Sequence, residues 1–168
     1  MRVRQRASST RLTADDLQEI TAQMADKLRA SDFLSDRTPE SAPIGVAIQR
    51  VTNLSSDVIP ISEQWWLMER VRNSLPITRL GQERNLAFIM PAERLEELRA
   101  LGFETGLMEG RQPTHVMDAV FRSVTRSADA HRTDLYMCEY RITRLDTGEL
   151  AWADSFEFKR AAFGRSWD

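Results

Sequence analysis

Residues Asp134 to Arg160 read DLYMCEYRITRLDTGELAWADSFEFKR, two alternating apolar and polar runs around Asp146-Thr147-Gly148-Glu149. A period of two sends successive side chains to opposite faces of a strand, and a glycine-bearing turn between two such runs makes a hairpin. On the first strand Tyr136, Cys138, Tyr140 and Ile142 share one face. On the second, Leu150, Trp152, Phe156 and Phe158 share one, with Asp154 as the exception. A hairpin that is apolar on one face needs more sheet beside it and a second layer to cover it.

The rest of the chain supplies both. Thr13 followed by Asp15 and Asp16 predicts a helix N-terminus, and Leu17, Ile20, Met24 and Leu28 follow at helical spacing. Pro43 to Val51 is apolar on both faces, the pattern of a central strand. Ser62 to Leu75 predicts a second helix with Leu67, Val71 and Leu75 on one side, ended by Pro76. Leu86 to Met90 is a short buried-type strand, and Pro91 opens a third helix whose face is Leu95, Leu98 and Leu101. Gly102 to Pro113 predicts a loop, Thr114 to Val124 a third strand, and Ser127 to Arg132 a polar connection to the hairpin. A strand-helix-strand start implies a parallel pair, and the closing meander implies antiparallel neighbours. The expected fold is therefore α/β (α+β): one domain, with helices packed on a mixed sheet of four to five strands. Its boundaries are read as a flexible tail at 1–12, a globular domain at 13–161 and a C-terminal tail at 162–168.

A length of 168 residues suits one domain with a real core. The net charge of -2 offers no basic field for nucleic acid. The lone Cys138 excludes an intramolecular disulfide. No apolar run approaches the ~20 residues of a spanning helix. The N-terminus, MRVRQRASSTRLT, is basic without an apolar core. That leaves a cytosolic protein or a chain without its export signal.

No catalytic constellation emerges. His115, His131 and Cys138 lack the paired short spacing of structural zinc sites, and nothing in the sequence brings a histidine to the thiol. Gly102, Gly106 and Gly110 have the spacing of a membrane-helix packing motif, but Glu104 and Glu109 between them favour a loop. Glu96 and Glu97 read as a solvated helix face. Asp154 reads as a carboxylate that reaches solvent or pairs with an arginine. The expectation is no enzyme, no cofactor and no metal. Three residues stand out as partner-binding candidates. Asn53 follows a strand in a polar turn, where it either caps loop amides or meets a partner. Trp65 and Trp66 are adjacent on a helix and about 100° apart, so at least one is left partly exposed.

Several segments in colinear order resemble the LpoB family of outer-membrane lipoprotein activators of peptidoglycan synthases, whose related folds include CsgG and the N-terminal domain of TolB. Pro43-Ile44-Gly45-Val46 and Asn53-Leu54-Ser55-Ser56-Asp57-Val58-Ile59 are similar to the family's opening strand and following turn. Leu67, Val71 and Leu75 match its next helix, and Phe88-Ile89-Met90 before Glu93-Arg94-Leu95-Glu96-Glu97-Leu98 matches its short strand and charged helix. Thr114-His115-Val116-Met117 resembles a further strand, with Ala119 where glycine is usual. The hairpin Ile142 to Trp152 and the basic Lys159-Arg160 resemble the family's close. The chain departs from the family in the short glycine-rich segment 102–113, where a helix is usual.

The resemblance implies a non-enzymatic, periplasmic, outer-membrane-associated protein. Its implied partner is a protein, a bifunctional penicillin-binding protein, and its membrane attachment would run only through a lipid anchor. A CsgG-like secretion or assembly subunit and a small-molecule-binding domain are the alternatives.

Overall fold

The computed structural model describes residues 2–5, 11–90, 92–102, 112–128 and 131–163. In chain order the elements are β1 (Arg2–Gln5), α1 (Ala14–Arg29), α2 (Asp32–Ser35), β2 (Ile44–Leu54), α3 (Ile61–Asn73), α4 (Ile77–Arg84), β3 (Leu86–Ile89), α5 (Ala92–Ala100), β4 (His115–Ala128), β5 (His131–Arg144) and β6 (Leu150–Phe163). They build one mixed sheet in the order β1-β6-β5-β4-β2-β3. β4, β5 and β6 form the antiparallel meander, while β2 runs parallel to both β4 and β3. The five strands read from the sequence are all present. Arg2–Gln5, within the segment read as a tail, adds a sixth by pairing in parallel with Phe158 to Ala161 of β6.

The helices cover one face. Leu17, Ile20, Met24 and Leu28 of α1 and Leu67 and Val71 of α3, with Leu75 just beyond it, are buried. They meet Val46, Ile48 and Val51 of β2, Met117, Ala119 and Phe121 of β4, and Tyr136, Cys138, Tyr140 and Ile142 of β5 in one core cluster. Tyr136 stacks on Phe158 of β6 with ring centroids 5.2 Å apart.

Thr13 caps α1 reciprocally. The Thr13 main-chain N–H donates to the Asp16 carboxylate at 2.9 Å, and the Asp16 main-chain N–H donates back to the Thr13 hydroxyl at 3.4 Å. The same carboxylate accepts from Arg160 of β6, a pair buried between helix and sheet. Burial alone would raise the Asp16 pKa, but the bonds from Arg160 and Thr13 outweigh it and hold the carboxyl below its usual value.

Several local expectations are revised. Pro76 does not simply end α3, which stops at Asn73; Pro76 instead precedes α4. Helix α4 has Leu80 as its one buried residue, so it carries too thin an apolar stripe to show in a periodicity reading. It closes at Asn85, whose left-handed φ of 49° suits asparagine. Leu101 is 71% exposed, beyond the end of α5. Leu150 is 61% exposed because the β5–β6 register shifts between Ile142 and Thr143, which turns it away from the face of Trp152. The β4–β5 ladder continues to Ala128 and His131, through residues read as a polar connection because both faces of β4 are exposed there. Most of the glycine-rich segment, 103–111, lies outside the described residues, and with it Gly106 and Gly110.

Removing the Asp16 charge tests the helix-to-sheet pair. Asp16→Asn leaves Arg160 buried without its counter-charge, and a loss of about 3 kcal/mol is expected in urea unfolding at pH 7. Because the folded pKa of Asp16 lies below its unfolded value, its contribution is present above the unfolded pKa and fades as pH falls toward the folded one. The wild-type chain should therefore lose stability below about pH 4, and Asp16→Asn should lose less over that range.

Candidate functional site

Strand β2 ends at Leu54 and the chain turns back into α3 through residues 55–60. Asn53 organises this turn. Its Nδ2 donates to the Asp57 carbonyl at 2.7 Å, and its Oδ1 accepts from the Ser55 main-chain N–H at 3.0 Å and the Ser55 hydroxyl at 2.7 Å. Asparagine in this position substitutes side-chain bonds for missing ladder bonds. Two further bonds tie the loop to the sheet. The Ser56 N–H donates to the Ser123 hydroxyl of β4 at 2.9 Å, and the Tyr136 hydroxyl of β5 donates to the Asp57 carboxylate at 2.5 Å. Burial first, and then the Asp57 bond, push the Tyr136 hydroxyl pKa well up, so it stays a donor at any ordinary pH.

The loop thus holds a fixed shape while presenting apolar surface. Val58 is 92% exposed, Leu54 57% and Ile61 54%. Two clefts adjoin it. One runs between Leu12, Thr13 and Val58, and the other between Gln18, Ser62 and Trp66; both share Ala14 and Leu17 of α1 and Glu63 of α3. Trp66, 37% exposed, stands at this surface with the Arg70 guanidinium 5.1 Å over its ring.

The two tryptophans divide as their angular spacing requires. Trp65 is 2% exposed and turned toward α5, where Arg94 lies 5.3 Å from its ring centre. Arg94 is itself held by Glu69 at 3.3 Å and Glu97 at 3.1 Å. The structure therefore brings Asn53 and Trp66 to one end of the molecule and buries Trp65. Val58 and Ile61 are exposed to a larger fraction than either named residue and were not singled out from sequence. The signal available was an apolar Val58-Ile59 pair inside a polar turn.

The other titratable candidates separate. His115 begins β4, while His131 and Cys138 lie seven positions apart on β5, about 24 Å along an extended strand. Among the described residues no group of three or more His, Cys, Asp or Glu is placed to hold a metal. Cys138 is fully buried, and burial first, then the Glu139 charge, push its thiol pKa far up, which removes the thiolate a nucleophile needs. Asp154 pairs with Lys27 of α1 at 2.6 Å rather than with an arginine. Burial would raise its pKa, but the Lys27 bond lowers it below the usual carboxylate value, the wrong direction for a general acid.

No protein-family model matches the chain, and no curated protein matches it significantly. Among solved structures it is similar to the LpoB C-terminal domain from Salmonella enterica, with a TM-score of 0.46 and 12% identity over 84% of this chain and 97% of that one. The LpoB C-terminal domain from Escherichia coli gives a TM-score of 0.44 and 15% identity over the same shares, 84% and 97%. Lipoprotein GNA1162 from Neisseria meningitidis gives 0.41 and 14% identity over 71% of this chain and 84% of that one.

The division of the tryptophans has a direct consequence. Trp65→Ala should cost about 3–5 kcal/mol in urea unfolding, the cost of emptying a buried indole site. Trp66→Ala should cost under about 1 kcal/mol, because its ring is partly solvated already.

Proposed function

We propose that this chain is a non-enzymatic accessory domain of the bacterial cell envelope that works by binding a protein partner. The observation that carries the binding reading is the surface of Leu54, Val58, Ile61 and Trp66. Large apolar side chains are exposed there on and beside a loop that five hydrogen bonds involving Asn53, Ser123 and Tyr136 hold in shape. Exposed apolar groups beside tryptophan and arginine are what interface cores are made of. A loop already ordered before binding spends little entropy on docking.

The colinear motifs direct this reading to a bifunctional peptidoglycan synthase, met on the periplasmic side of the outer membrane by a domain tethered through a lipid anchor. A binder of this kind activates without chemistry. It prefers one conformation of the synthase and shifts the population toward it by the difference in affinity. Trp66 and Val58 are the anchors in this account, Asn53 positions the loop, and Trp65 supports α3 from inside.

Calorimetry with the periplasmic regions of the synthases of the source organism tests the proposal. Saturable micromolar binding to one of them is expected, weakened at least tenfold by Trp66→Ala or Val58→Asp with the fold intact. Absence of binding to every synthase region overturns the activator role.

A further inference from the structure

At the end of the sheet away from the partner surface, an open cleft of about 760 Å³ lies between the start of β2, the start of β4 and the β5–β6 turn. Its size falls within the range of small-molecule sites. Gly45 makes its floor possible. A Cβ there would stand 2.5 Å from the Gln112 carbonyl, so only glycine lets the chain entering β4 cross this closely. The crossing is fixed by the Thr114 N–H donating to the Gly45 carbonyl at 2.9 Å and the Gly45 N–H donating to the Thr114 hydroxyl at 3.1 Å.

That hydroxyl has one proton and two partners in reach, His115 Nδ1 at 2.9 Å and the Gly45 carbonyl at 3.3 Å. Two tautomers satisfy these bonds: with the ring proton on Nε2 the hydroxyl donates to Nδ1, and with it on Nδ1 the ring donates to the hydroxyl, which then donates to the Gly45 carbonyl. Burial first, then the charges of Arg144 and Arg37, lower the His115 pKa, so the ring is neutral at pH 7. It is 7% exposed, and its face is covered by Phe33 with centroids 5.8 Å apart.

The charged side chains lining the cleft are Arg37, Arg144 and Asp146. Three main-chain carbonyls fix the Arg37 guanidinium: Arg84 at 2.9 Å, Ala42 at 2.5 Å and Asn85 at 3.4 Å. Arg144 is bonded to Asp146 through Nη2 at 2.9 Å, with Glu149 4.0 Å from its Nη1. Among the described residues, two arginines and one aspartate line the cleft, an excess of one positive charge. A monoanion is matched by that excess and a dianion such as phosphate exceeds it, while Glu149, outside the lining, weakens the field for either. Phe33 and Leu145 supply an apolar wall beside the cationic one.

We propose that this cleft binds a carboxylate carried on an apolar body, with Arg37 and Arg144 on the carboxylate, the His115 ring beside it, and Phe33 and Leu145 on the body. The chemistry is shared by short-chain organic acids and by the C-terminal residue of a peptide. This inference is independent of the partner surface and of the envelope role.

Titration of the full chain with hexanoate, N-acetyl-L-leucine and N-acetyl-L-leucinamide tests it, read by calorimetry and by the His115 ring resonances. At least one of the two acids should saturate at millimolar concentration or below and shift His115, and the amide should bind at least tenfold more weakly. Saturation by N-acetyl-L-leucine alone marks a peptide end as the ligand, and saturation by hexanoate alone marks a free acid. Two exposed positions keep the test separate from folding. Leu145→Glu should weaken the acid at least tenfold with no change in melting temperature, and Asp146→Asn should tighten it severalfold by releasing Arg144. An amide that matches the acid, acids that leave His115 unmoved, or an Asp146→Asn that weakens binding each overturns the proposal.

Discussion

Tyr136 and Tyr140 stand four residues apart on one face of β5, and both reach through the core to the layer above. Tyr136 ends on the Asp57 carboxylate in the loop before α3, and Tyr140 ends on the Leu67 carbonyl within α3 at 3.3 Å. Both rings are fully buried, so each hydroxyl needs a partner in place. If α3 or its loop drifts, a buried donor is orphaned at a cost of about 1–3 kcal/mol. The pair therefore makes the position of the exposed surface a property of the central sheet. The loop around Val58 is held by groups that the core itself anchors.

A second tie closes the sheet's other side. Arg160 reaches from β6 to Asp16 and, at 3.2 Å, to the Thr13 hydroxyl. A buried ion pair is a weak source of net stability, because taking two charges out of water offsets most of their attraction. Its value here is in placement. Asp16 already caps α1, so the same carboxylate sets both where the helix begins and where that end meets β6. A shift of one helical turn would break the cap and the ion pair together, and an apolar pair in their place would tolerate it.

The sequence is legible wherever one physical rule acts alone. Alternation over Asp134 to Arg160 gives the β5–β6 hairpin, and the 3.6-residue stripe of Leu17, Ile20, Met24 and Leu28 gives α1 with its cap. The misses fall where a long-range fact outweighs the local pattern. Strand β1 is four residues long and has meaning only beside β6, far along the chain. Leu150 leaves the core face through a register shift that alternation cannot encode. For the candidate surface, the angle between Trp65 and Trp66 shows that they must part. Which ring goes inside depends on α5 and Arg94, 25 or more positions away. Asp154 finds Lys27 across 127 positions, one of only two lysines in the chain.

The proposed partner surface and the proposed carboxylate cleft lie at opposite ends of the same strands. The cleft gathers at Ile44 and His115, where β2 and β4 begin, and the surface gathers at Leu54, where β2 ends. Ten residues of extended chain separate them by about 33 Å. Between them β2 is flanked on both sides by paired strands over its first half and by β4 beyond it, and its helix-facing residues Val46, Ile48 and Val51 are buried. Coupling between two sites needs an intervening element with two arrangements that each ligand favours differently. A one-residue slip of β2 would turn Val46, Ile48 and Val51 out of the core, which opposes sliding of the strand even though its pairing with β4 shifts register between Ile48 and Val51. The packed face of β2 therefore opposes coupling by sliding of that strand, and regulation of one end by the other would need another element with two arrangements.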